Sequence, residues 1–142
     1  MNIPFLNRLQ SMTQLSVPTV NAGTRAKATA TVDRIRAELP ELLGVAVIDI
    51  VSGQALATYT SLPTFNPAKA ASFNVEVVRQ KQRALAAMSL SGEKIEDILI
   101  TLREQLHLLR VSENNQHLLY LAVNSQDTNL AIARNVLRAH SN

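Results

Sequence analysis

Three histidines, His107, His117 and His140, are the residues best suited to metal or proton chemistry in this chain. Their spacing argues against a shared ion. Two apolar runs, Leu106–Val111 and His117–Val123, read as strands joined through a tight turn at Asn114-Asn115, since Asn tolerates positive φ. Residues facing each other then have numbers summing to about 229, which pairs His107 near Ala122 and His117 near Ser112 and sends the two rings to opposite sheet faces. No metal site is expected, and the histidines are read as surface or strand-edge residues. Asp49 stands just before a turn, either as a general base or as a turn carboxylate bonding nearby backbone amides, and the turn role fits its place better. Glu96 and Asp97 are neighbours in an expected strand and point to opposite faces, so they do not form a cooperating carboxylate pair. No Ser or Thr stands in a nucleophile-elbow sequence. The four glycines, at 23, 44, 53 and 92, spell neither a P-loop nor a dinucleotide fingerprint. No catalytic residue and no cofactor are expected. Arg79 and Arg83, one helical turn apart, could meet a phosphate or an acidic partner, with a solvated face and a Glu76 ion pair as the plainer alternative.

Composition narrows the classes further. A chain of 142 residues with 46% hydrophobic content is long enough for one domain with a real core. Fourteen basic against eleven acidic side chains leave +3, too small and too dispersed a surplus to mark a nucleic-acid binder. With no Trp and few other aromatics, stacking platforms for single strands are scarce as well. The absence of cysteine excludes disulfides and thiolate chemistry. No apolar run is long enough for a membrane span, and Arg8 interrupts the start, so no secretory leader is read and a cytoplasmic protein is the expectation.

The elements are organised around Asn66–Met88. Asn66 suits an N-cap and Pro67 the first helical position. At about 1.5 Å per residue the helix would run roughly 33 Å. At about 100° per residue, Ala70, Phe73, Val77, Ala84 and Met88 fall in one stripe and Ala71, Val75, Val78 and Leu85 in a second, with Asn74 and Lys81 between them. A surface helix needs one apolar stripe, about 100° wide. Two stripes imply two contacts: its own sheet, and a partner.

Around that helix the chain reads as follows. Residues 1–27 form an N-terminal extension, expected to be partly flexible, in which Pro4–Leu15 could make a short amphipathic helix and SVPTVNAGT a linker. A helix over Lys27–Leu39 buries Ala28, Val32, Ile35 and Leu39 and ends at Pro40. Gly44–Ile50 is an apolar strand, central in its sheet, joined through Gly53 to a more polar edge strand at Gln54–Thr60. After Leu90-Ser91-Gly92, Lys94–Arg103 is a third strand, with Ile98, Ile100 and Leu102 on one face. The other two strands follow, and a last helix capped by Asp127 or Thr128 reaches about His140, with Leu130, Ala133 and Leu137 inward and Arg134 and Arg138 outward.

Three segments in this order resemble the roadblock (dynein light-chain) family: the hairpin LLGVAVIDIVSGQALATY with Gly44, Asp49 and Gly53, the Ala-rich helix PAKAASFNVEVVRQKQRALAAM, and LLYLAVNSQDTNLAIARNVLRAH with its Asn129-Leu130 turn and Arg134. The resemblance covers about residues 28–141. It implies an α+β domain over 28–142 with a five-stranded antiparallel sheet, the long helix on one face and the terminal helices on the other. It also implies a homodimer joined through the long helices and third strands, and a non-enzymatic adaptor that binds a small Ras-like GTPase or another protein. The dimer interface is then expected at Phe73, Val77, Val78, Leu85 and Met88 with Ile98 and Ile100, so that Val77→Asp or Val78→Asp dissociates it. Arg79 and Arg83 are the partner surface on this reading. A small-ligand sensor with a pocket between sheet and helix is the alternative.

Overall fold

The computed structural model describes residues 19–142; the Pro4–Leu15 segment lies outside them. Eight elements follow one another: α1 (Ala22–Glu38), β1 (Leu42–Asp49), β2 (Ala55–Thr60), α2 (Pro67–Ala87), β3 (Ile98–Thr101), β4 (Gln105–Val111), β5 (His117–Asn124) and α3 (Leu130–Ala139). The strands form a single antiparallel five-stranded sheet in the order β2-β1-β5-β4-β3. β1 and β5 sit inside it, where their side chains alternate between two apolar layers. Val45, Val47, Leu119, Leu121 and Val123 face α1 and α3, whose Ala28, Val32, Ile35, Ala133, Val136 and Leu137 complete that layer. Ala46, Ile48, Leu118, Tyr120 and Ala122 face α2, through its Ala71, Val75 and Val78. The long helix on one face and the terminal helices on the other is the expected layering.

β4 and β5 pair with His107 opposite Ala122, the expected register, although five residues, 112–116, connect the strands. Ser112 donates its N–H to the His117 carbonyl at 2.8 Å, and Asn115 takes φ +59°. The centre of the turn is unchanged, so the register is too. β2 carries a bulge, because Leu56 is an extra residue between the pairs Val47–Ala57 and Ile48–Ala55.

Three boundaries differ from the sequence reading. α1 starts at Ala22, because the Asn21 Oδ1 accepts from Thr24 N at 2.8 Å; a polar cap begins the helix before its buried face begins at Ala28. α3 is capped by Asn129, which accepts from Ala131 N (2.9 Å) and Ile132 N (3.3 Å), and not by Asp127 or Thr128. β3 has only four residues, since side-chain contacts hold the segment before Ile98 away from the ladder (below).

α2 ends with Ser89 at φ +60°. Its N–H reaches the Ala86 carbonyl and the Leu90 N–H that of Leu85, a Schellman closure that normally takes glycine. A left-handed serine costs about 1 kcal/mol, so Ser89→Gly should raise unfolding stability by about that much, measured by urea denaturation.

Candidate interaction surface

Helix α2 lies across β1, β2 and β5 and leaves β3 and β4 to one side. Two features set its roll. At its N-terminal end, Phe65 packs over Gly44 of β1, where a Cβ would overlap the ring, with Cδ1 only 2.7 Å away. Further along, Arg79 donates from Nη2 to the carbonyls of Ile50 (2.7 Å) and Val51 (3.3 Å), stapling the β1–β2 turn to the helix. That turn is itself closed by Asp49, whose Oδ2 accepts from Ser52 N (2.8 Å) and Ser52 Oγ (2.6 Å), so Asp49 is the turn carboxylate expected for it.

With the roll fixed, Ala71, Val75 and Val78 turn onto the sheet and the other stripe turns outward. Phe73 is 74% exposed, Met88 60% and Val77 36%. Val78 is only 2% exposed and belongs to the chain's own core, which corrects its assignment to a dimer interface. Leu85 is half-buried and lines a groove of about 790 Å³ bounded by the end of α2, residues 91–96 and the β4–β5 turn. Ile98 and Ile100 are half-buried on the α2 side of β3, the sheet edge. Periodicity could not choose between the stripes because both are equally apolar; the choice comes from contacts distant in sequence.

Arg79 takes the plainer of its two expected roles, the Glu76 ion pair. Its Nη1 bonds Glu76 Oε1 at 2.6 Å while Nη2 holds the turn, so its guanidinium is engaged within the chain. Arg83 remains exposed. Arg134, expected to point outward, forms a bidentate pair with Asp97, with Nε and Nη2 each 3.1 Å from a carboxylate oxygen. Arg110 adds Nη1 to the Glu96 carbonyl (3.1 Å) and Nε to Ser141 Oγ (2.9 Å). Together they moor the entry to β3 on α3 and β4, which explains why the ladder starts only at Ile98. Asp97→Asn should cost about 1 to 2 kcal/mol, the range for a charged hydrogen bond discounted for a partly exposed arginine. Amide exchange should quicken in β3 more than in β1.

The histidines fall on opposite faces, as their register required, but not all at the surface. His117 lines a cleft between α1, the β4–β5 turn and residues 140–142, and His140 Nε2 bonds Glu38 Oε1 at 2.6 Å. His107 stands on the α2 side within an aromatic group, its ring centroid 5.5 Å from Tyr120 and 6.1 Å from Phe65. Its Nε2 is 2.8 Å from Gln105 Oε1 and its Nδ1 3.1 Å from Tyr120 Oη. Burial lowers the His107 pKa and pushes that of Tyr120 up to about 12. This cluster was missed by sequence reading, although the cross-strand pairing of Ile100 with His107 on one sheet face could have signalled it. Among the described residues no group of three or more His, Cys, Asp or Glu is placed to hold a metal ion, and no helix is long and apolar enough to cross a membrane.

No family model matches the chain, and no curated protein matches it. Solved structures do. MglB of Myxococcus xanthus superposes with a TM-score of 0.74 over 86% of this chain and 87% of that one, at 13% identity. This chain has the roadblock fold. The gliding protein MglB of Thermus thermophilus gives 0.66 at 14% identity, over 86% of this chain and 88% of that one. A Roadblock/LC7 domain from Streptomyces avermitilis gives 0.65 at 9% identity, over 80% and 90%. At these identities the likeness is one of fold, and it bears out the architecture that the resemblance implied. Within that roadblock fold, the uncovered strip of sheet runs out from α2 to the edge strand β3.

Proposed function

We propose that the chain is a non-enzymatic adaptor that pairs with a second copy of itself and engages a small Ras-like GTPase or another protein, in the cytoplasm. The observation that carries the first half is the exposed apolar stripe Phe73, Val77 and Met88 beside an edge strand carrying Ile98 and Ile100. Water-exposed apolar side chains in a row mark a contact surface, and an open ladder edge is a liability that pairing removes. In this reading the two α2 helices pack on one another while the β3 strands join two sheets into one. Leu85, at the rim of the neighbouring groove, contributes at the margin.

The second half draws on the fold. Roadblock proteins bind and regulate small GTPases or serve as adaptor subunits, and MglB is among the structures this chain resembles. Such an adaptor acts by differential contact, holding the partner's switch segments in one of their states. Arg83, exposed on the polar side of α2, is the basic contact offered to that partner. The filled layer of Ala71, Val75, Val78, Leu109, Leu118 and Tyr120 between α2 and the sheet favours the adaptor over a ligand sensor built around a pocket there.

Sedimentation equilibrium of the purified chain tests self-association. A dimer that Phe73→Glu converts to a folded monomer is the expected result, and a wild-type monomer at tens of micromolar would reject it. Capture from native lysate, probed for GTPases loaded with GDP or a GTP analogue, tests the partner. Nucleotide-dependent retention is expected, and retention of no GTPase would return the partner to an unrelated protein.

A further inference from the structure

The sheet strip that α2 leaves uncovered is formed by Ile98 and Ile100 of β3 and by Gln105, His107 and Val111 of β4. His107 is the one titratable side chain among these positions, paired across the ladder with Ile100 and packed against Phe65 just before α2. We infer that protonation of His107 opens the self-associated form, so that assembly through this strip is switched by pH. The inference rests on the self-association reading above.

The argument starts from the hydrogen bonds of the ring. The Gln105 Oε1 can only accept, so His107 Nε2 carries the proton and donates to it at 2.8 Å. His107 Nδ1 is then the acceptor for the Tyr120 hydroxyl at 3.1 Å. Both nitrogens are satisfied in the neutral state. Protonating Nδ1 turns the acceptor into a donor, so the Tyr120 hydroxyl must rotate to accept from it, and its own proton is left without an acceptor among the described residues.

Nothing around the ring compensates a charge. β3 presents Ile100, the β2–α2 link presents Phe65, β4 itself presents Gln105, and β5 presents Tyr120 and Ala122. Of these only Tyr120 titrates, and its hydroxyl stays neutral far above physiological pH. On the same hairpin, Arg103 and Glu104 stand exposed in the β3–β4 turn, and Arg110 is engaged with Ser141 and the Glu96 carbonyl. A second copy's α2 would bring the apolar stripe with Lys81 beside it, and another cation disfavours a charged ring as well. The ring is partly buried in one chain, and a covering helix would remove the water that still reaches it.

The sign follows. The pKa of His107 is already depressed in the folded chain by burial, and association depresses it further. Association is then strongest above the ordinary histidine value near 6.5 and weakens as the pH falls through the lowered values. Each unit by which pairing lowers the pKa weakens association tenfold per copy once both forms are titrated, and roughly a hundredfold for the two copies together.

Sedimentation equilibrium at pH 8.0 and pH 5.5 reads the effect. The expected result is a dimer whose Kd rises at least tenfold at the lower pH, with the rise abolished in His107→Leu and retained in His117→Gln, whose ring lies on the other face. Should His107→Leu fail to fold, the His107 ring protons of the wild-type chain can be titrated by NMR at low and high protein concentration, where a lower pKa in the concentrated sample is expected. A dimer insensitive to pH, or one whose pH response persists in His107→Leu, overturns the switch and leaves self-association standing. A monomer at pH 8.0 overturns both.

Discussion

Val78→Asp should unfold the domain, whereas the same change at Val77 should leave it folded and abolish self-association. The two valines are adjacent on α2 and differ only in where the helix turns them. Val78 is 2% exposed against Ala46, Ile48 and Tyr120. A carboxylate there would be buried with no cation or donor to meet it, a class of change that costs about 4 kcal/mol or more. Small domains have roughly 5 to 15 kcal/mol in all, so the variant is expected to be largely unfolded near 37 °C or recovered in aggregates. Val77 is 36% exposed, and its replacement should shift stability by no more than about 0.5 kcal/mol. In the proposed dimer, however, it would set two carboxylates into an apolar contact, one from each copy. Urea denaturation followed by circular dichroism separates the stability effects, and sedimentation reads the assembly. Equal unfolding midpoints for the two variants would contradict the helix roll described here.

The second large effect is expected at Gly44. A side chain there would collide with Phe65 and sit 3.1 Å from Pro67 Cγ, both at the start of α2. Gly44→Val must therefore expel the Phe65 ring from its place between β1 and the His107–Tyr120 pair, and overpacking of this kind costs about 1 to 3 kcal/mol. The upper end is expected, because the backbone of β1 is held between two strands and cannot retreat. Combining Gly44→Val with Phe65→Ala should cost less than the sum of the single changes, since the valine would occupy space that the ring has vacated. Additive costs would mean that the clash is not with Phe65. Aromatic proton shifts of Tyr120 should move in the single variant.

Much of this arrangement could be read from the chain before any coordinates. The layering was what the family resemblance implied, in keeping with β1 being apolar on both faces, and the β4–β5 register followed from the symmetry of the Asn114-Asn115 turn, which survived a longer loop. What escaped were features created by single polar contacts. Asn21 begins α1 two turns before the first buried residue, and nothing in the apolar periodicity records a cap. Arg134 reaches Asp97 across 37 positions of sequence, so no local pattern could turn it inward. The roll of α2 was undetermined for the same reason. Phe65 on Gly44 and Arg79 on Ile50 choose which stripe meets the sheet, and each joins residues more than twenty positions apart.

The bulge at Leu56 has a bearing on how many molecules can join. The two borders of the sheet are not equivalent: β3 ends in a plain run of ladder groups, while β2 is kinked and offers a poorer template for a further strand. Joining like border to like border consumes the regular one in both molecules, leaving only the kinked ones outermost. Growth by strand addition should therefore stop at a two-fold pair rather than run on into a fibre.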